Sequence, residues 1–144
     1  MTGINVTRVL AAGLLAGVVL NVGDFLIHGV ILAADMDLLR QRLNLNPAVF
    51  AGTAAMMTWL IVDLLLGLLI VWTYAAIRPR FGPGPVTAVA AGLVSFVAVT
   101  LVTFGYTQMG IFAIASFVKV TLLWAVNIIA ASLAGGWAYQ EGPA

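Results

Sequence analysis

Long apolar stretches, repeated four times, constrain this chain more than any other feature. Segments at roughly 8–34, 48–77, 85–108 and 111–138 each supply the about 20 mostly apolar residues that a membrane-crossing helix needs. Charged residues make up 8% of the 144 residues, against about 25% in a soluble domain. So few charges cannot cover a water-facing surface. The chain reads as one all-α integral membrane domain over 1–144, four transmembrane helices in an antiparallel bundle.

The formal net charge of +1 provides no clustered basic face, so nucleic acid is not an expected partner. Absence of cysteine excludes disulfides, thiolate metal sites and thiol catalysis. The apolar run Val9–Ala34 exceeds the about 7–15 residues of a leader's apolar core and contains Asp24 and His28. It is read as a retained helix.

Breaks between spans have local causes. Asn46-Pro47 offers an N-cap followed by a proline in the first turn, and Arg78-Pro79 predicts the end of the second span. "FGPGP" (81–85) reads as a stiff turn, and Gln108-Met109-Gly110 as a tight hairpin. Within "DMDLLRQRLNLN" (35–46), Asp35 can cap a short helix whose Met36, Leu39 and Leu43 oppose Arg40 and Arg42, a pattern that suits the headgroup plane. A plain polar loop is the alternative. Arg8, Arg78 and Arg80 fall on one side and Arg40 and Arg42 on the other, which predicts both termini in the cytoplasm. Trp72, Tyr74, Tyr106, Trp137 and Tyr139 sit near span ends, as interfacial anchors do.

Residues three and four apart share a helical face. On span one, Gly13, Gly17, Asn21, Asp24 and His28 form a stripe whose first half, "GLLAG", allows close backbone approach. Span two aligns Gly52, Met56, Trp59, Asp63, Gly67 and Tyr74. Span three aligns Gly92, Thr100, Thr103 and Thr107, and span four Ser116, Lys119, Asn127, Ala130 and Ala134. The expectation is that these faces turn inward, with Gly13, Gly17, Gly67 and Gly92 as packing positions.

At about 1.5 Å per residue, Asp63 falls near mid-span, with Asp24, Lys119 and His28 roughly 5, 7 and 10 Å from the midplane on one side. A lone charge at the bilayer centre costs at least ~2.5–3.5 kcal/mol, so Lys119 is expected to pair with Asp24 or Asp63. The remaining acid would hold a proton, pair with protonated His28, or face water. Asn21, Asp24, His28, Asp63, Thr100, Thr103, Lys119 and Asn127 are therefore the candidate ligand, ion or proton site. The alternative is polar glue that fixes helix register. No metal or cofactor is expected, because one histidine with two distant aspartates is a poor ligand set. No phosphate-binding glycine loop, H-E-x-x-H or G-x-S-x-G is present, and nothing sets Ser95 or Ser116 on a catalytic elbow.

"NVGDFLIHGVIL" in span one and "YAAIRPRFGPGP" at the end of span two resemble stretches of small uncharacterised bacterial inner-membrane proteins with four predicted spans. The resemblance implies a multi-pass bacterial inner-membrane protein and carries no activity. Three functions stay open. One is proton- or ion-linked transport or channel-like activity in a homo-oligomer assembled through "GLLAG". Another is an assembly subunit docked on a membrane-protein partner. The third is a binding protein or enzyme for a lipid, quinone or isoprenoid-like molecule, walled by Trp59 and Trp124. Membrane lipids are partners under all three.

Overall fold

The computed structural model describes residues 4–48 and 52–140, and every regular element there is helical. Helix α1 (Val6–Asp24) runs into a π-helical segment (Phe25–Ile31), followed by α2 (Ala33–Arg42), α3 (Thr53–Phe81), α4 (Pro85–Gln108) and α5 (Ile114–Ala138). Val6–Ile31, α3, α4 and α5 are each long and apolar enough to cross a membrane. The protein is a polytopic membrane protein with a four-helix bundle.

Around the bundle, α1 lies between α3 and α5, and α4 closes the ring between them; α3 and α5 also touch across the diagonal. Large side chains such as Leu65, Leu101, Leu122 and Val126 point outward, while Ala12, Ala16, Ala91 and Ala131 are fully buried. Such an inversion suits lipid. Hydrocarbon gives leucine no reason to hide, so helices associate through close packing of small residues.

Glycine makes the closest approach. A Cβ added at Gly17 would lie 2.6 Å from Leu64 Cα, one at Gly13 2.8 Å from Leu68 Cα, and one at Gly67 2.6 Å from Gly17 Cα. Gly92 leaves its space to the Ser132 hydroxyl, which donates to Ile128 O at 2.6 Å. "GLLAG" is thus occupied by α3 of the same chain, which removes it as the surface for self-association.

Several boundaries differ from the sequence reading. Span one starts at Val6, because Asn5 Oδ1 accepts from Arg8 N at 3.1 Å and caps it. Asn46 does accept from Ala48 N at 2.9 Å, yet α3 begins at Thr53; residues 49–51 of the predicted start lie outside the described residues. Pro79 does not end α3. So near the C-terminus it removes one backbone bond, and the helix continues to Gly82, whose N–H donates to Arg78 O at 2.9 Å. The stop comes from Gly82 (φ 83°) and Gly84 (φ 139°), which adopt backbone angles that favour glycine. Span four begins at Ile114, after Gly110 turns the chain with φ 78°.

Faces differ too. Met56 and Trp59 are 60% and 64% exposed, and residues 53–62 of α3 are exposed apart from Ala55, so the lower half of that stripe faces outward. On α5 the buried set is Asn127, Ile128, Ala131, Ser132 and Gly135, whereas Ala130 is exposed. Trp72, Tyr106 and Trp137 are exposed as anchors would be, but Tyr74 and Tyr139 are buried and meet edge to face at 6.0 Å.

Gly17→Ala is expected to lower the stability of the detergent-solubilised protein by about 1–3 kcal/mol, the usual range for overpacking. Gly105, whose Cβ would meet nothing within 4 Å, is the control: Gly105→Ala should leave unfolding unchanged or delay it. Thermal melts followed by circular dichroism decide, and equal melts for both variants would refute the crossing.

Candidate functional site

A polar cluster forms where α1, α3 and α5 meet, at the point where α1 changes geometry. Asp24 is the last α-helical residue before the π segment, in which backbone bonds skip an extra residue, as in Leu32 N to Ile27 O at 2.7 Å. Such wide turns are rare and often accompany functional sites. His28, half-buried inside the segment, places Nδ1 3.2 Å from the Asp24 carbonyl oxygen.

Asn127 holds the carboxylate from α5. Its Nδ2 donates to Asp24 Oδ1 at 3.1 Å and to Leu20 O at 3.1 Å, so one amide fixes the acid and ties α5 to α1. Gly23 makes room, because a Cβ there would strike the Asn127 amide. One turn earlier on α5, the Trp124 indole N–H is buried without a direct partner and faces the same carboxylate.

Asp63 enters from α3 and is 3% exposed. No described residue donates a hydrogen bond to its carboxylate, and its electrostatic neighbour is Asp24. Asn21 Nδ2 donates to Gly17 O at 3.0 Å and to Leu60 O at 3.3 Å, linking α1 to α3 just before Asp63. The cluster therefore contains two carboxylates, two amides and an indole. Its one basic group is His28, whose ring lies against the Asp24 carbonyl oxygen.

Lys119 is not in it. Its Nζ lies 3.1 and 3.3 Å from the two oxygens of Asp35, and Ser116 Oγ donates to the same carboxylate at 3.3 Å. The expected pairing with Asp24 or Asp63 is therefore corrected. Because α5 starts at Ile114, Lys119 stands about 10 Å from its midpoint at the usual helical rise, close enough to the end to meet α2. Arg42 adds a second tie, from its guanidinium to Gly110 O at 2.9 Å. Three polar pairings thus strap α2 to the start of α5 and the turn before it.

Thr100 and Thr103 are half-buried on α4 and no contact brings them to the carboxylates; the Thr103 hydroxyl donates to Val99 O of its own helix at 2.9 Å. Two surface clefts lie elsewhere, one at the α3–α4 turn and one beside Leu10 and Leu69. Trp124 and Asp35 are the participants that sequence reasoning misplaced. A buried indole three residues before Asn127 was legible as a helical neighbour; the Asp35 partnership was not.

Among the described residues no three histidine or carboxylate groups converge as metal ligands. The cluster's carboxylates are groups that can bind a proton. Two carboxylates removed from water beside no fixed cation cannot both stay ionised cheaply. No protein-family model, curated protein or solved structure matches the chain.

Two measurements probe this geometry. Asn127→Leu removes the amide that donates to Asp24 and ties α5 to Leu20, and is expected to destabilise the protein by about 1–3 kcal/mol. A double-mutant cycle between Asp35 and Lys119 should give a coupling of about 0.2–1 kcal/mol, since Lys119 is 55% exposed. Coupling of Lys119 to Asp24 or Asp63 instead would reverse the assignment.

Proposed function

We propose that Asp24 and Asp63 form a proton-exchange site and that the protein carries out proton- or ion-linked transport, or channel-like conduction, through it. One observation carries the reading: Asp63 is buried inside a membrane-crossing bundle with a second carboxylate as neighbour and no lysine or arginine to neutralise either. An isolated intramembrane charge is expensive, so such a pair is best held with a bound proton, and coupled carboxylates release protons in two linked steps. His28 stands on the next turn after Asp24, on the way to α2. This order supports a relay from Asp63 through Asp24 to the imidazole, the side chain best suited to passing protons near neutral pH.

The other readings find less support. An assembly subunit would keep its polar faces for partner helices, whereas here they engage each other. A pocket for an apolar molecule lacks its wall at Trp59, and the clefts lie away from the carboxylates. A bacterial inner membrane and cytoplasmic termini belong to this proposal as well, resting on the distribution of arginines.

Proteoliposomes loaded with a pH-sensitive dye and given a potassium diffusion potential provide the test. Asp63→Asn is expected to slow proton flux by about 100-fold, the scale of a positioned proton-transfer group, with Asp24→Asn close behind. Infrared difference spectra should lose a protonated-carboxyl band in Asp63→Asn. Wild-type flux no greater than that of empty liposomes, or unchanged flux in both variants, would overturn the reading.

A further inference from the structure

The end of the bundle where α5 finishes carries three arginines and, between the end of α3 and the start of α4, a cleft that the carboxylate pair does not use. Arg8 donates to the Gln140 carbonyl oxygen, and Arg78 lies 5.9 Å over the Tyr139 ring. Arg80 sits 5.9 Å over the ring of Phe81, which itself lines the cleft. Asp24, Asp35, Asp37 and Asp63, the acidic side chains among the described residues, all stand elsewhere.

The cleft has a volume of about 250 Å³ between the end of α3 and the start of α4, with Ile77, Phe81, Gly84, Val86, Thr87 and Ala90 on its walls. Its polar side is the first turn of α4. Pro85 has no N–H, and Ala88 N bonds Gly84 O at 3.1 Å, which leaves the Val86 and Thr87 amides without intrahelical partners. Thr87 supplies an independent sign. It is 5% exposed, it lines the cleft, and its hydroxyl makes no hydrogen bond with any described residue. The hydroxyl oxygen itself is not sealed off, so it stays open to a partner inside the cleft that Thr87 lines.

We propose that this cleft binds an anionic phospholipid. Thr87 Oγ1 and the Val86 and Thr87 amides donate to the phosphate, at the positive end of α4, where anions are favoured. Arg80 supplies the counter-charge from above the Phe81 ring. An acyl chain follows Ile77 and Ala90 down the seam between α3 and α4. A lipid fits better than free phosphate for two reasons: the walls are mainly apolar, and the cleft opens at the ends of two membrane-crossing helices, at headgroup depth. The arginine-rich end then faces the anionic leaflet, where each basic side chain adds to attraction. This site is separate from the carboxylate pair, and lipid binding does not depend on proton flux.

Native mass spectrometry of the purified protein titrated with phosphatidylglycerol, phosphatidylcholine and inorganic phosphate tests it. Phosphatidylglycerol should bind about tenfold more tightly than phosphatidylcholine, and Arg80→Gln or Thr87→Val should each weaken it about tenfold, the loss of one charge-assisted contact. Thr87→Ser should bind like wild type. Equal retention of both lipids, displacement of phosphatidylglycerol by equimolar phosphate, or wild-type binding by Arg80→Gln and Thr87→Val would each overturn the proposal. If Thr87→Val fails to fold, Arg80→Gln against Thr87→Ser decides alone.

Discussion

Where α1 crosses α3, Gly67 lies against the backbone of Gly13 and Gly17, with no side chain between the helices. In hydrocarbon this contact replaces the hydrophobic effect that holds a soluble core together, and its position dictates what happens next to it. The Asp63 carbonyl lies 3.0 Å from where a Gly17 Cβ would stand, so Asp63 belongs to the crossing itself. Asn21 then bonds across to Leu60 one turn further on. Beyond that point the helices part, and residues 53–62 of α3 are exposed apart from Ala55. The acid is buried because it falls on the last turn at which α1 still covers α3.

Charge is sorted by depth. Arg8, Arg78 and Arg80 occupy one end, while Arg40, Arg42 and Lys119 belong with α2 and the start of α5 at the other. At these ends water and headgroups solvate them, and their pairings contribute little to stability. Between the two ends Asp24 is served by dipoles, while the Asp63 carboxylate accepts from no described residue. Asn127 donates to Asp24 and the Trp124 indole faces it, which steadies one acid without neutralising the pair. Amides and an indole orient a carboxylate yet leave its proton exchangeable; a lysine in the same place would have locked it ionised. Lys119 being held by Asp35 is thus a condition for the chemistry proposed.

The four spans were legible because length and hydropathy are local properties, and Gly13, Gly17, Gly67 and Gly92 were legible because packing glycines repeat at helical spacing. Asn21, Asp24, His28 and Asn127 fell near one another for the same reason, with Asp63 opposite. The misplaced residues share a different cause. Met56 and Trp59 obeyed the periodicity of Asp63, but periodicity cannot say where along a helix its neighbour departs. Ala130 and Ala134 are small residues one step around α5 from the arc that Asn127 and Ala131 bury. Depth alone puts Lys119 beside Asp24 and Asp63, whereas Asp35 on α2 is the acid within its reach.

Asp35 was out of view because of the π segment. A helical wheel turns about 100° per residue, and bonds that skip one residue more turn it less. Over Phe25–Ile31 the phase error reaches on the order of a third of a turn, which makes the acid expected to cap a short helix a partner for Lys119 and Ser116. The same wide turns let the chain leave the bundle at Leu32 and carry α2 across to Gly110. Had α1 stayed regular through His28 and continued straight, nothing would cover the outer end of the polar stripe. With the π segment in place, His28 stands between the Asp24 carbonyl and the strapped α2. An irregular turn at this position is therefore what separates a sealed carboxylate pair from one with a titratable side chain leading out.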